Sequence, residues 1–158
     1  MKKIIVAIAL FCLTTTSEAQ EVYGEIMKMS KRDANDKAKN LQTRKIATFR
    51  VDALNYMTTK ARELMPDSTV RMLDRQALAM YEYVDLFMKE LTREDKRKKR
   101  ESVIELFGQV TIDHPRYLDT DKDLVLSYYN NKAYLTRFSL DTDWEKALAT
   151  IKRILSSL

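Results

Sequence analysis

The chain has 158 residues, among them 2 Gly, 2 Pro, 1 Cys, 1 His and 1 Trp, and its formal net charge at pH 7 is +5. Two glycines cannot build the glycine-rich loops that bind phosphates or dinucleotides. One His and one Cys cannot form a zinc finger or an internal disulfide. So few turn residues also disfavour a β-sandwich or barrel, and the composition therefore favours a mainly α-helical protein.

The N-terminal segment 1–19 has the layout of a secretory signal peptide. A basic start precedes an apolar run over 4–13, and the small residues Ser17 and Ala19 occupy the −3 and −1 positions before a cleavage site. The run is too short to span a bilayer, which requires about 20 residues. We therefore expect export to the periplasm or the extracellular medium, with Gln20 as the first mature residue; the alternative is a buried amphipathic first helix.

The next residues, 20–33, are short and mixed in character, and we expect them to form an N-terminal arm that can move. From Ala34 to Leu64 the apolar positions recur every three or four residues, which predicts an amphipathic helix. Pro66 then ends this helix, because the residue before a proline is driven out of helical geometry. We expect the whole of 34–158 to form a single helical domain.

The clearest helical pattern lies at about 68–92. Its apolar residues alternate in steps of three and four, and a second apolar stripe makes the face wider than a coiled-coil seam. The pattern predicts a long central helix that is packed on more than one side. The alternative is a homo-oligomer that associates through this stripe. The stripe consists of Val70, Leu73, Ala77, Met80, Val84, Phe87 and Leu91.

A third helix is predicted behind the basic run Lys96–Arg100. Val103, Leu106, Phe107 and Val110 again follow helical spacing, although Gly108 among them costs about 1 kcal/mol relative to Ala. No later apolar run is long enough to predict a transmembrane segment in the mature chain.

The C-terminal part is rich in aromatic residues and begins two elements in the same way. Thr120 and Thr142 are each followed three residues later by an acid, a pattern typical of helix starts. The second predicts a C-terminal helix. Two structures remain open for 124–140: a short helix followed by an extended segment, or a β-hairpin that turns at Asn130–Asn131. The predicted fold is a compact bundle of about four helices.

Two groups of residues are candidates for ligand binding. The basic run can attract an anionic polymer or an anionic membrane surface, but it can equally be the solvated start of a helix. The aromatic group can line a groove for a partner protein or a small ligand, or it can fill the core. The basic group consists of Lys96, Arg97, Lys98, Lys99 and Arg100, and the aromatic group of Tyr128, Tyr129, Tyr134 and Trp144.

No pattern of residues indicates catalysis, a cofactor or a metal ion. The acids at 119–123 resemble the start of a calcium loop, but Leu124 stands where such a loop requires Gly. His114 is the one imidazole, and we expect a loop position for it. We therefore expect a non-enzymatic exported binding protein. One alternative is a binder of anionic polymers or membranes; another is a carboxylate-dependent hydrolase, with Glu63, Glu82, Glu101 and Glu105 as its candidate acids.

Overall fold

A computed structural model describes residues 21–66, 70–131 and 133–157, so the expected signal peptide at 1–19 lies outside it. The predicted helical class is confirmed, and the described ranges contain no β-strand. No described helix is both long enough and apolar enough to cross a membrane. The helices are α1 (Glu21–Asn35), α2 (Leu41–Leu64), α3 (Val70–Arg93), α4 (Arg97–Asp113), α5 (Lys122–Asn130) and α6 (Trp144–Ser156).

The bundle of about four helices is not confirmed, because the described residues form six, and the two additional ones are α1 and α5. Where a mobile arm was expected over 20–33, the described residues belong to α1, which packs against α2 and α3 and buries Ile26 and Ser30. Residues 21–35 therefore contribute to the core.

The helix expected over 34–64 is divided by a polar turn. α1 ends at Asn35, and the Asn40 side chain caps α2 by accepting the N–H of Thr43 at 2.8 Å. The carboxylate of Asp36 accepts the N–H of Ala38 at 2.9 Å and closes the turn. The apolar period continues across this break, so periodicity alone did not reveal it.

Helix α3 occupies the centre of the fold and contacts α1, α2, α4 and α6. From Leu73 onward, the apolar stripe predicted for it packs against the core of the same chain, and this packing occupies the surface that had suggested self-association. Its completely or almost completely buried members are Ala77, Met80, Val84, Phe87 and Leu91.

Six buried aromatic rings pack together between the helices. Their centroids lie 5.1–6.3 Å apart and most pairs meet edge to face, which is the favoured arrangement of aromatic rings. The Tyr83 hydroxyl donates to the Phe107 carbonyl at 2.7 Å and so satisfies its polar atom inside the cluster. This aromatic core consists of Phe49, Tyr83, Phe87, Phe107, Phe138 and Trp144.

The short-helix alternative for 124–140 agrees with the structure, and the β-hairpin is not confirmed. α5 covers the first half, and the described residues 133–143 are neither helix nor strand. The helix starts lie one residue later than the threonine pattern predicted: Asp121 caps α5 and Asp143 caps α6.

The residues from 136 to 144 run through the interior without regular structure until α6 begins. All of them except Arg137 are buried, and we call them the buried segment. Because no ladder of backbone hydrogen bonds is present here, their buried amides require other partners.

Gly108 of α4 allows the buried segment to approach closely. A Cβ atom at this position would lie 2.9 Å from the Arg137 carbonyl oxygen and 3.1 Å from the Tyr129 ring. The backbone oxygen cannot rotate away as a flexible side chain would. Gly108 lowers the helix propensity of α4, but the close packing of the buried segment requires a residue without a Cβ atom here.

Replacement of each helical glycine by alanine tests this packing. We expect Gly108→Ala to destabilise the protein by about 1–3 kcal/mol, because overpacking exceeds the gain in helix propensity. Gly24→Ala in α1 is the matched control, since nothing lies within 4 Å of its added Cβ; it should stabilise by about 0.5–1 kcal/mol. Urea denaturation measures both changes, and equal stabilisation by the two variants would contradict the close approach.

Candidate functional site

The side chain of Gln76 in α3 holds the end of the buried segment. Its amide Nε2 donates to Asp143 Oδ1 at 3.0 Å, and its Oε1 accepts the backbone N–H of Trp144 at 2.7 Å. The Asp143 N–H in turn donates to the His114 carbonyl at 2.7 Å. Gln76 is completely buried, so one amide side chain joins α3 to the start of α6.

Asp143 remains ionised although it is buried. Burial by itself raises the pKa of a carboxyl group. The hydrogen bond from Gln76, the N–H of Lys146 and the nearby charges of Arg116 and Lys146 outweigh this effect and hold the pKa of Asp143 below its usual value. Arg116 Nη1 lies 3.1 Å from the carboxylate. The Asp143 carboxylate therefore caps α6 and at the same time binds Arg116 in the loop that follows α4.

A second buried carboxylate, Asp141, fixes the conformation of an exposed loop. One of its oxygens accepts the N–H groups of Arg116 and Tyr117 at 3.0 and 2.8 Å, and the other accepts the N–H of Asp119 at 2.9 Å. Asp141 is 4% exposed. Three amide donors of the loop, on both sides of Leu118, thus converge on one acid.

Leu118 has an unusual conformation at the tip of this loop. Its φ angle is 52°, and it is the one non-glycine residue with positive φ among those described. A side chain in this left-handed region costs about 1–2 kcal/mol. Burial does not repay this cost, because the side chain is 74% exposed.

The other face of the loop is attached to α2. Tyr117 packs edge-on against Tyr56 with centroids 6.2 Å apart, and the Tyr117 hydroxyl donates to the Met57 carbonyl at 3.3 Å. Asp119 accepts the Tyr56 hydroxyl at 2.7 Å and pairs with Lys60 Nζ at 3.0 Å. The loop is therefore held from two sides.

The carboxylate of Asp119 is stabilised in its charged form at this attachment. Burial acts to raise its pKa, but the N–H of Asp121, the Tyr56 hydroxyl and the Lys60 ammonium group together lower it below the usual value. Burial, as the largest cause, together with the hydrogen bond to Asp119 and the negative charge of Asp141, raises the pKa of Tyr56 far above its ordinary value. Near neutral pH the tyrosine donates and the aspartate accepts, so the attachment persists.

Four large apolar side chains are exposed in the described part of the chain, and three of them belong to this loop or to the helices α2 and α5 beside it. Leu64 follows the loop-binding Lys60 by one helical turn. Leu124 lies in the first turn of α5, where its N–H donates to the Asp121 carboxylate at 3.1 Å. Their exposed fractions are 55% and 43%. We call Leu64, Leu118 and Leu124 the leucine site.

The basic run lies at the start of α4. Lys96 is the N-cap residue and the following four cations form the first turn, which contains no acid. All five are exposed except Arg100, which is half-buried. Arg97 pairs with Glu101 at 3.1 Å and Lys99 with Glu94 at 3.6 Å. Because the helix dipole is already positive at this end, the run is electrostatically unfavourable for the helix.

The aromatic group does not lie on one surface. Trp144 is completely buried in the aromatic core. Tyr128 and Tyr134 are half-buried with centroids 4.9 Å apart, and the Tyr128 hydroxyl donates to Asp52 at 2.7 Å. Tyr129 donates instead to Glu105 at 3.2 Å. The structure therefore brings two of the four residues together and places the tryptophan in the interior.

The four glutamates proposed as candidate acids each pair with a basic residue. The described residues contain no group of three or more His, Cys, Asp or Glu side chains positioned to bind a metal ion. His114 lies in the loop region after α4, with Nε2 2.9 Å from the Thr150 hydroxyl. The glutamate pairs are Glu63 with Lys60, Glu82 with Lys152, Glu101 with Arg97, and Glu105 with Arg137.

Comparison of the chain with models of protein families, with curated proteins and with solved structures found no match.

Proposed function

We propose that the chain is an exported, non-enzymatic binding protein and that the leucine site contacts a partner protein. The observation that carries the proposal is Leu118, an apolar side chain held at positive φ and directed into solvent. Sterically unfavourable residues that the surrounding structure maintains occur most often at functional sites.

The surroundings of Leu118 support this interpretation. Glycine or asparagine would adopt the same backbone conformation at lower cost, so the leucine does not serve the stability of the loop. The anchoring carboxylate of Asp141 and the contacts of Tyr117 and Asp119 to α2 keep the loop rigid. A rigid apolar contact loses less conformational entropy when it binds.

Binding has more support than hydrolysis among the described residues. Hydrolysis of a glycoside requires two carboxyl groups that face one substrate. Here the candidate glutamates lie on the surface, each beside its own basic partner. The buried acids Asp141 and Asp143 are occupied by backbone amides and by Gln76 and Arg116.

Replacement of Leu118 by asparagine separates stability from binding. We expect Leu118→Asn to raise the free energy of unfolding by about 1 kcal/mol, because the left-handed conformation becomes less costly. Capture of a partner by the immobilised protein, from the envelope or medium of the exporting cell, should fall by at least about tenfold, which corresponds to the loss of one buried leucine contact of about 1.5 kcal/mol.

Leu41→Asn is the matched control, since Leu41 is 64% exposed at the start of α2, and it should leave capture unchanged. Recovery of no partner by the wild-type protein, or equal capture by wild type and Leu118→Asn, would contradict the proposal.

A second candidate function is binding to an anionic polymer or an anionic membrane surface. The observation that favours it is the first turn of α4, where four cations add to the positive end of the helix dipole and no acid is present. A negatively charged partner would relieve this repulsion, since electrostatic attraction contributes about 1 kcal/mol per basic residue near an anionic membrane.

Replacement of the five basic residues 96–100 by glutamine tests this candidate. Retention on heparin and binding to vesicles that contain anionic phospholipid should weaken by at least tenfold, and binding should lose most of its salt dependence. A control variant removes the same charge from five scattered exposed positions and should retain most of the binding. Equal losses in the two variants would show a response to net charge alone and would contradict a local site. The control positions are Lys28, Lys37, Arg62, Lys89 and Arg153.

A further inference from the structure

A shallow groove of about 390 Å³ lies between α3 and α6 on the protein surface. Its floor is apolar and is formed by Leu78 and Ala79 of α3 and by Leu148 and Ala149 of α6. The alanines leave room above the helix backbones, and Ala149 is exposed. The groove therefore offers an open apolar strip between two helices.

Charged residues stand at the four corners of this floor. Arg75 pairs with Glu145 at 3.4 Å at one end, and Glu82 pairs with Lys152 at 3.0 Å at the other. Each helix advances by seven residues from one pair to the next, so α3 and α6 run in the same direction. All four side chains are between 42% and 67% exposed, and they remain accessible to a partner.

The two helices present the same pattern with the charges reversed. Along α3 the order is a cation, Leu-Ala and an acid; along α6 it is an acid, Leu-Ala and a cation, with identical spacing. The signs therefore alternate around the rim. If a second copy of the groove is rotated to face the first, each positive corner of one rim can therefore lie opposite a negative corner of the other.

We propose that this groove binds a second copy of the chain in a symmetric dimer. A two-fold axis placed between the facing grooves, either along them or across them, brings every cation opposite an acid. With the axis along the groove, Arg75 faces Glu145 of the other copy and Lys152 faces Glu82. The same surface then serves both subunits, as two-fold symmetry requires, and the two leucine-alanine floors meet at the centre.

The size of the groove indicates a weak dimer. Seven helical residues span about 10 Å, which is short compared with the extent of a permanent dimer interface. Complementary charges contribute mainly to orientation and to the rejection of wrong partners. Self-association should therefore depend on concentration and decrease at high salt.

Reversal of the charges in pairs tests the dimer. Arg75→Glu with Lys152→Glu makes all four corners negative, and Glu82→Lys with Glu145→Lys makes them all positive. Because like charges placed opposite each other are strongly unfavourable, each variant alone should self-associate at least about 100-fold more weakly than wild type. An equimolar mixture of the two variants should form a heterodimer. Sedimentation equilibrium of the purified protein and of the mixture measures these changes.

Two controls accompany the charge reversals. Lys28→Glu with Arg62→Glu makes the same change of net charge as the all-negative variant at exposed positions elsewhere and should leave dimerisation almost unchanged. Circular dichroism checks folding, which exposed ion pairs influence little. Glu145 also accepts a hydrogen bond from Gln76 at 3.2 Å, so the all-negative variant, which keeps this bond, carries the test if the all-positive variant does not fold.

A wild-type protein that stays monomeric up to about 1 mM, the range of the weakest specific contacts, would overturn the proposal. Undiminished self-association of the all-negative variant would overturn it as well, because the dimer would then use another surface. Two folded variants that remain monomeric when mixed would also overturn it, because restored charge complementarity would then not restore the dimer.

Discussion

The fold depends on the few hydrogen bonds that connect the buried segment to its neighbouring elements. This segment crosses the interior without a helix or a strand, and three of its backbone amides donate to neighbouring elements, whereas the buried Thr136 hydroxyl and Trp144 indole N–H have no hydrogen-bond partner among the described residues. Ser139 donates to the Thr111 hydroxyl at 2.9 Å, Asp143 to the His114 carbonyl at 2.7 Å, and Trp144 to Gln76 at 2.7 Å. An unpaired buried amide would cost about 1–3 kcal/mol. These few bonds therefore determine how α3, α4 and α6 lie around the aromatic core.

The same constraint connects the interior to the surface. The carboxylate of Asp141 belongs to the buried segment, yet it accepts the amides of the loop that carries Leu118. The neighbouring Asp143 caps α6, and α6 in turn forms one wall of the groove against α3. The proposed contact with a partner protein and the proposed dimer thus occupy different surfaces, and two acids of one segment, Asp141 and Asp143, help to position them.

The sequence was sufficient to predict those features that depend on local pattern. The stripe of α3 and, to within one residue, the start of the C-terminal helix follow from apolar spacing and capping residues, whereas the short helix at α5 was one of two structures that the sequence left open. The break at 36–40 was missed because the apolar period continues across it. Leu118 was missed because its conformation is imposed by Asp141, which lies 23 residues later. Gln76 did leave a signal: it is a polar residue next to Ala77 in the apolar stripe of a buried helix, where an unsatisfied amide is costly.

Hydrogen exchange of the wild-type protein tests most directly whether the buried segment is part of the core. If the account is correct, the amides of Ser139, Asp143 and Trp144 exchange nearly as slowly as those at the centre of α3, because both open only when the core unfolds. The amides of Tyr117 and Asp119 should also be protected by Asp141, although they lie in a surface loop. Exchange of all five amides at the rate of an exposed loop would contradict the central role given to the buried segment.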